Sequence, residues 1–163
     1  MPPSDEAGCR DWPDLAGRIA ADETGRCHVL PIRVYFEDTD FSGLVYHGSY
    51  VRWCERGRSD FLRLIGNDHR ALLAGGDGRE PAAFVVRRMT LEFLRPARID
   101  DILEVTTCVK ETTAATLTLD QRVRQQGGRE IFTAEVMVVL VSQSGKPLRL
   151  SSALRHALQE PPA

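Results

Sequence analysis

The chain has 163 residues, of which 42% are hydrophobic and 27% charged, with a net charge of −2. This length fits one domain that buries a core without help from disulfides. The slight excess of acidic residues argues against a nucleic-acid-binding protein, which usually carries an excess of Lys and Arg. No stretch approaches the roughly 18 uninterrupted apolar residues of a membrane-spanning helix. The acidic, proline-bearing N-terminus lacks the apolar segment of a secretory signal.

The cysteines show neither a C-x-x-C pair nor the spacing of metal ligands. They are Cys9, Cys27, Cys54 and Cys108. This pattern favours reduced thiols in a cytoplasmic protein.

The composition of the first part of the chain predicts an N-terminal extension, which is followed by a single domain. We expect residues 1–27 to be flexible, with at most a helical turn around residues 15–20, and residues 28–160 to form the domain. Residues 28–37 alternate between apolar and polar side chains, which predicts a strand.

A change of period after a polar, glycine-containing loop predicts a long helix. Apolar residues gather on one side of a helical wheel from Tyr50 to Ile65, with Ser49 as the expected N-cap and Gly66 as the stop. Gly57 lies on the apolar face, where glycine costs about 1 kcal/mol against alanine. Its presence indicates a close approach of this helix to a sheet.

The rest of the chain returns to a period of two. Four strands are predicted around residues 85–96, 103–109, 115–124 and 131–141, before a short C-terminal helix at residues 152–158. The order predicts an α+β fold in which a five-stranded antiparallel sheet wraps around one long central helix. One helix leaves part of such a sheet bare, so we expect a homo-oligomer, a dimer or a tetramer.

Three acids precede the long helix within four positions: Glu37, Asp38 and Asp40. A helix N-terminus favours negative charge by roughly 0.3–1 kcal/mol, and Asp is common in turns, so each acid alone has a structural explanation. The residues between these acids and the helix make a functional role more attractive. They include Gly43, Tyr46, His47 and Gly48.

The spacing of the residues excludes two other kinds of site, a calcium-binding loop and a Cys–His nucleophile pair. The run from Asp38 to Gly43 matches the opening of a calcium loop, but the twelfth position is Ser49 where a bidentate Glu is required. A nucleophilic Cys54 activated by His47 fails because seven helical residues separate the two backbones by about 10 Å.

The stretch around these acids resembles the signature of the 4-hydroxybenzoyl-CoA thioesterase family, most closely its branch encoded beside the bacterial tol–pal genes. The matching positions are Tyr35-x-Glu37-Asp38-Thr39-Asp40-x-x-Gly43-x-Val45-Tyr46-His47-x-x-Tyr50, continuing into Glu55-Arg56-x-Arg58. The element order also agrees over the predicted domain. The resemblance implies a hotdog fold and hydrolysis of acyl-coenzyme A thioesters without a metal or redox cofactor.

The resemblance also assigns roles to individual residues. It makes Asp40 the essential carboxylate, acting as nucleophile or general base, and the backbone amide of His47 the oxyanion donor. The Tyr46 ring and the His47 side chain would shape the pocket or orient water, and Glu55 is a further candidate for the site. A thiolate is a good leaving group, because a thiol pKa lies near 8.5, so one carboxylate suffices without a Ser-His-Asp triad.

The phosphates of coenzyme A need local positive charge, for which Arg88 and Lys146 are the first candidates. Two alternatives stay open. One is a hotdog hydratase or dehydratase acting on acyl-CoA or acyl-carrier protein, with His47 and Glu55 as its acid–base pair. The other is a non-catalytic acyl-CoA-binding protein or a scaffold in a cell-envelope assembly.

Overall fold

The computed structural model describes residues 17–22 and 25–160. Within these residues the strands are β1 (Arg18–Asp22), β2 (Gly25–Arg33), β3 (Ala82–Phe93), β4 (Ile102–Thr112), β5 (Thr116–Gln125) and β6 (Glu130–Ser142). The α-helices are α1 (His47–Leu64), α2 (His69–Ala74) and α3 (Ser152–Gln159), and a 3-10 turn covers Phe36–Asp38. No helix in this part of the chain has the length and apolar character needed to cross a membrane.

The strands form one antiparallel sheet in the order β1-β2-β4-β5-β6-β3. Five strands were expected, and the sixth is β1, which pairs with β2 from Arg18 opposite Val29 to Asp22 opposite Gly25. The helical turn expected at residues 15–20 is therefore wrong for residues 18–20, because pairing with the β2 edge overrides local preference. Residues 15 and 16 lie outside the described residues.

Helix α1 packs closely against one face of the sheet. A Cβ added to Gly57 would lie 2.8 Å from the Thr107 hydroxyl and 3.3 Å from a Val105 methyl, so only glycine fits without a shift. The close approach predicted from Gly57 is confirmed. The same contact carries buried polar groups, since the Gln121 amide donates to the Thr107 hydroxyl and to the Cys54 carbonyl.

The start of α1 is fixed to the sheet by aromatic packing. The Tyr50 ring stacks on Phe132 at a centroid distance of 5.1 Å and meets Phe93 edge-on at 5.7 Å. The Tyr50 hydroxyl accepts a hydrogen bond of 3.2 Å from the Ala97 amide, and burial raises the pKa of this phenol. This end of the helix therefore has a defined position relative to the C-terminal end of β3.

The structure corrects the expectation that the cysteines are reduced. Cys27 and Cys108 stand opposite each other in the β2–β4 register and form a disulfide, with their Cα atoms 4.3 Å apart. Cys54 is a free buried thiol, and burial raises its pKa to about 12. Cys9 lies outside the described residues.

Helix α2 was not expected, because residues 67–82 carry glycines and read as a loop. It begins after Asp68, whose carboxylate caps it by accepting a hydrogen bond of 2.8 Å from the Ala71 amide. The connection between α1 and β3 is thus partly helical.

Candidate active site

The three acidic residues of the loop before α1, Glu37, Asp38 and Asp40, lie in different environments. Asp38 points inward, is 5% exposed, and accepts a hydrogen bond of 2.9 Å from the Tyr35 amide. Its backbone carbonyl accepts from the Tyr46 amide at 2.8 Å and from the Ser49 hydroxyl at 3.2 Å. Asp38 therefore ties the loop to the start of α1, whereas Glu37 and Asp40 are exposed.

Asp40 lies in a tight turn that leaves half of its carboxylate available. Its amide donates to the Leu44 carbonyl at 2.9 Å, and its carbonyl accepts from Gly43 at 3.0 Å. Gly43 adopts a φ of 78°, which favours glycine. One carboxylate oxygen, Oδ1, accepts from the Ser42 amide at 2.8 Å and from its hydroxyl at 2.5 Å. Within the described ranges the other oxygen, Oδ2, has no hydrogen-bond partner.

The pKa of Asp40 is lowered from its ordinary value. The hydroxyl of Ser42 is the main cause, its amide the next, and the nearby His47 adds a smaller effect in the same direction. The carboxylate is therefore ionised at neutral pH. The sequence interpretation missed Ser42, although an Asp followed two residues later by Ser is a common turn pattern that indicates this bond.

Helix α1 begins at His47 rather than near Tyr50, and its N-cap residue is Tyr46 instead of the expected Ser49. Ser49 instead lies within the first turn, buried against Asp38. The amides of His47 and Gly48 have no partner within residues 17–22 and 25–160, as the first positions of a helix allow. Together with the helix dipole, they can bind a negatively charged oxygen.

Tyr46 and His47 form an aromatic wall at this helix end. Their ring centroids are 4.3 Å apart, and the His47 ring meets Phe93 edge-on at 6.4 Å. The Tyr46 ring covers Gly48 so closely that an added Cβ there would lie 2.6 Å from a ring carbon. Tyr46 and His47 are therefore in contact, and His47 lies close enough to Asp40 to help lower the pKa of its carboxyl group.

Comparison with known proteins identifies the family of the chain that carries this loop and helix. A family model described as "Thioesterase superfamily" matches residues 42–132. An Escherichia coli protein named acyl-CoA thioester hydrolase YbgC is 44% identical over 111 residues, covering 68% of this chain and 79% of the relative. The chain belongs to the thioesterase superfamily. It is therefore an enzyme, a thioester hydrolase, with an α+β hotdog-type fold.

Other relatives agree with this membership. The Haemophilus influenzae acyl-CoA thioesterase YbgC is 39% identical over 93 residues, which cover 57% of this chain and 65% of that protein. The crystal structure of a probable thioesterase from Bartonella henselae superposes with a TM-score of 0.73 at 42% identity, covering 77% of this chain and 99% of that chain. The resemblance stated from the residues around Asp40 is confirmed.

The other predicted site residues of this thioesterase lie apart from Asp40. Glu55 is exposed on α1, eight residues after His47 and so about 12 Å along the helix axis. Its carboxylate accepts a hydrogen bond of 2.5 Å from the Ser59 hydroxyl, which also lies 3.0 Å from the His69 ring nitrogen Nε2. A single chain does not bring Glu55 to the Asp40 loop.

The two candidates for phosphate binding are also separate from the loop. Arg88 is exposed on β3 and lies 3.9 Å from the Glu135 carboxylate, on the sheet face opposite α1. Lys146 lies in the turn after β6, with its amide 3.2 Å from the Ser142 hydroxyl. In the described part of the chain, no three His, Cys, Asp or Glu side chains lie close enough to hold a metal ion.

Proposed function

We propose that this thioesterase hydrolyses acyl-coenzyme A to a free acid and coenzyme A, with Asp40 as nucleophile or general base and the His47 amide as oxyanion donor. One observation carries the proposal. An ionised carboxylate with a free oxygen lies one short loop before open helix amides, in a chain 44% identical to a protein named acyl-CoA thioester hydrolase. The proposed reaction uses no metal or redox cofactor, because hydrolysis changes no oxidation state and a thiolate is a good leaving group. Coenzyme A enters as part of the substrate.

The chemistry balances with these groups. As general base, Asp40 takes a proton from water while the water oxygen bonds to the thioester carbon. The carbonyl oxygen becomes an oxyanion near the amides of His47 and Gly48. Its collapse breaks the carbon–sulfur bond and releases the coenzyme A thiolate, which then takes a proton. As nucleophile, Asp40 forms an acyl anhydride in this step, and water cleaves that anhydride in the next.

The proposed enzyme is a homo-oligomer that joins two β3 edges. Strand β3 pairs only with β6 in the described chain, and it exposes Val85, Val86 and Phe93 at 44%, 47% and 51%. An unpaired edge with exposed apolar side chains is a template for strand pairing. In a two-fold pair, the Phe93 end of one copy lies beside the Val86 end of the other.

Such pairing also accounts for the separation of Glu55 from Asp40. Helix α1 starts beside Phe93, and its second half lies over Phe84 and Val86. A second copy therefore brings its own Glu55 towards the Asp40 loop of the first copy. In this arrangement the sheet wraps around α1, and the partner helix covers Phe36 and Phe41, which are exposed at 82% and 109%.

Further parts of the proposal concern binding and location. Arg88 and Lys146 bind the phosphates of coenzyme A, and Arg88 then exchanges its 3.9 Å contact with Glu135 for a phosphate. We associate the enzyme with the tol–pal system, following the family resemblance. The cytoplasmic location was expected from reduced cysteines, and the Cys27–Cys108 disulfide removes that ground, since disulfides persist in oxidising compartments.

The test is release of free thiol from acyl-CoA by the wild type and by Asp40→Asn. The matched control is Glu37→Gln, which removes an exposed carboxylate from the same loop. We expect release by the wild type and by the control, and a loss in the Asp40 variant. Equal activity of all three proteins contradicts the role of Asp40, and no release from any acyl-CoA contradicts the substrate class.

A further inference from the structure

A small cavity lies under the second half of α1, between this helix and the sheet. Its volume is about 110 Å³, and we call it the proximal cavity; Phe61, Phe84, Leu119, Val138 and Leu158 are among its lining residues. Glu55, Ser59 and His69 line it as well, and Val86, also in its lining, is 47% exposed. The interior is therefore apolar, with polar groups on the α1 and α2 side.

A larger cavity of about 520 Å³ lies further along the same sheet face, and we call it the distal cavity. Ala82, Leu140 and Leu154 are among its lining residues. These three positions are close neighbours of Phe84, Val138 and Leu158 in the proximal cavity, two residues away in each strand and four away in α3. The two cavities are therefore consecutive along β3, β6 and α3.

Two side chains of the proximal cavity are sequence neighbours of residues that line the distal one. Leu158 is 1% exposed and belongs to the main core, and Phe84 packs against the same core. Neither residue lines the distal cavity, and Leu154 does not line the proximal one. An acyl chain that filled the proximal cavity would therefore have to pass Leu158 and Phe84 to reach the distal cavity.

We propose that the proximal cavity binds the acyl chain of the substrate, and that Leu158 and Phe84 limit it to a short chain by closing the way to the distal cavity. The inference rests on the proposed thioesterase function and on the proposed pairing of β3 edges, which brings this cavity to the Asp40 loop of the other copy. An apolar cavity of about 150 Å³ holds benzene. A cavity of 110 Å³ is smaller and therefore favours an aliphatic chain of about four carbons over aromatic and long acyl groups.

The experiment compares kcat/KM for thiol release from acetyl-, butyryl-, octanoyl-, palmitoyl- and benzoyl-CoA. We expect the wild type to prefer butyryl-CoA to octanoyl-CoA by at least tenfold. Leu158→Ala joins the two cavities and raises the octanoyl-to-butyryl ratio at least tenfold. Leu154→Ala is the matched control, because it removes the same atoms from the same helix at 3% exposure but lines only the distal cavity. Its ratio stays within about twofold of the wild type.

A second variant protects the test against loss of folding. Phe84→Val changes a residue that is only partly buried, and it shifts the preference in the same direction as Leu158→Ala. Val138→Phe fills the proximal cavity and lowers butyryl-CoA turnover at least tenfold more than acetyl-CoA turnover. A wild type that prefers octanoyl- or benzoyl-CoA overturns the inference, as does an equal change of preference in the variants of Leu158 and Leu154.

Binding measurements separate this inference from the proposed function. Calorimetry of butyryl- and octanoyl-CoA with Asp40→Asn reads chain-length preference without turnover. Tighter binding of butyryl-CoA by Asp40→Asn, together with a wild type that hydrolyses no thioester, supports the short-chain limit and contradicts the hydrolysis. Hydrolysis in which octanoyl-CoA binds and reacts as well as butyryl-CoA supports the proposed function and overturns the limit.

Discussion

Two aspartates of this chain each lie near a histidine, yet their surroundings differ. Asp40 is exposed in a loop, near an exposed His47, and only one of its carboxylate oxygens accepts hydrogen bonds. Asp60 lies on α1 and contacts His28, which is fully buried on β2, at 2.6 Å. Both oxygens of Asp60 are engaged, because the Gly17 amide bonds Oδ2 at 2.7 Å and Arg63 bonds Oδ1 at 2.8 Å.

The pKa of both carboxyl groups is lowered, but for different reasons. For Asp40 the cause is Ser42, helped by His47. For Asp60 burial acts in the opposite direction, and donors on Arg63, His28 and Gly17 outweigh it. The comparison shows that a low pKa alone does not identify a catalytic acid. Asp40 has one oxygen without a hydrogen-bond partner among the described residues, as its proposed role requires, whereas Asp60 uses its oxygens to hold β1 and β2 against α1.

The largest expected effect is on turnover in Asp40→Asn. General-base catalysis is typically worth 10²–10⁴-fold, so we expect kcat/KM for acyl-CoA to fall by about this factor. Stability stays unchanged, because asparagine accepts the same turn bonds from Ser42. Thiol-release kinetics and a melting curve on the same sample measure both quantities. A melting temperature that falls along with activity means that Asp40, like Asp60, has a structural role.

The reverse pattern is expected for Asp60→Asn. An amide cannot serve all three donors as well as a carboxylate, so the free energy of unfolding falls by about 1–3 kcal/mol. The folded fraction keeps its kcat. Urea unfolding measures the loss, with Asp68→Asn as the control, because asparagine caps α2 as well as aspartate does. Equal loss in both variants contradicts the anchoring role of Asp60.

The sequence was enough to predict most elements of the fold but not its edges. Strands β3 to β6 and helix α1 carry clear apolar periodicity, and each was predicted to within a few residues. Strand β1 and helix α2 are only five and six residues long. A strand this short is defined by its partner β2, and α2 by its Asp68 cap, rather than by an apolar pattern of their own.

For the site, the family resemblance singled out Asp40, Tyr46 and His47, and their catalytic roles stay predictions. The sequence did not show how these residues are held. The disulfide between Cys27 and Cys108 could not be predicted, because the cysteines are 81 residues apart and meet only through strand register. The pairing of His28 with Asp60 depends on the docking of α1 against β2, which periodicity leaves undefined.

A smaller effect is expected when the Ser42 hydroxyl is removed. Ser42→Ala takes away the main cause of the lowered pKa of Asp40, which then rises towards its ordinary value. A base acts when it is deprotonated, so activity is lost as pH falls through this pKa, and in the variant the loss begins at higher pH. The acid limb of the kcat/KM profile measures the shift. Thr39→Ala is the control, because its hydroxyl bonds the Phe36 carbonyl and leaves Asp40 alone. If the acid limb of Ser42→Ala is not shifted, a group other than Asp40 controls the loss of activity at low pH.

The smallest effect concerns His28, whose pKa is lowered from 6.5 because burial outweighs the hydrogen bond with Asp60. Besides Asp60, the charged group acting on this ring is Arg63 of α1, which also lowers its pKa. Below pH 6.5 the unfolded chain binds a proton that the folded chain takes up only at lower pH, so stability falls on acidification through that window. In His28→Phe the ring still stacks on Phe61, but this proton is gone.

The free energy of unfolding of His28→Phe should therefore depend less on pH below about 7 than that of the wild type, although it starts from a lower value. Urea unfolding at a series of pH values measures the slope. His156→Gln is the control, since the His156 side chain is 70% exposed and its removal leaves the slope unchanged. A slope that persists in His28→Phe between about pH 5 and 6.5 contradicts this role of His28, because the Asp60 carboxyl, whose pKa is lowered from 3.8, costs stability only at more acidic pH.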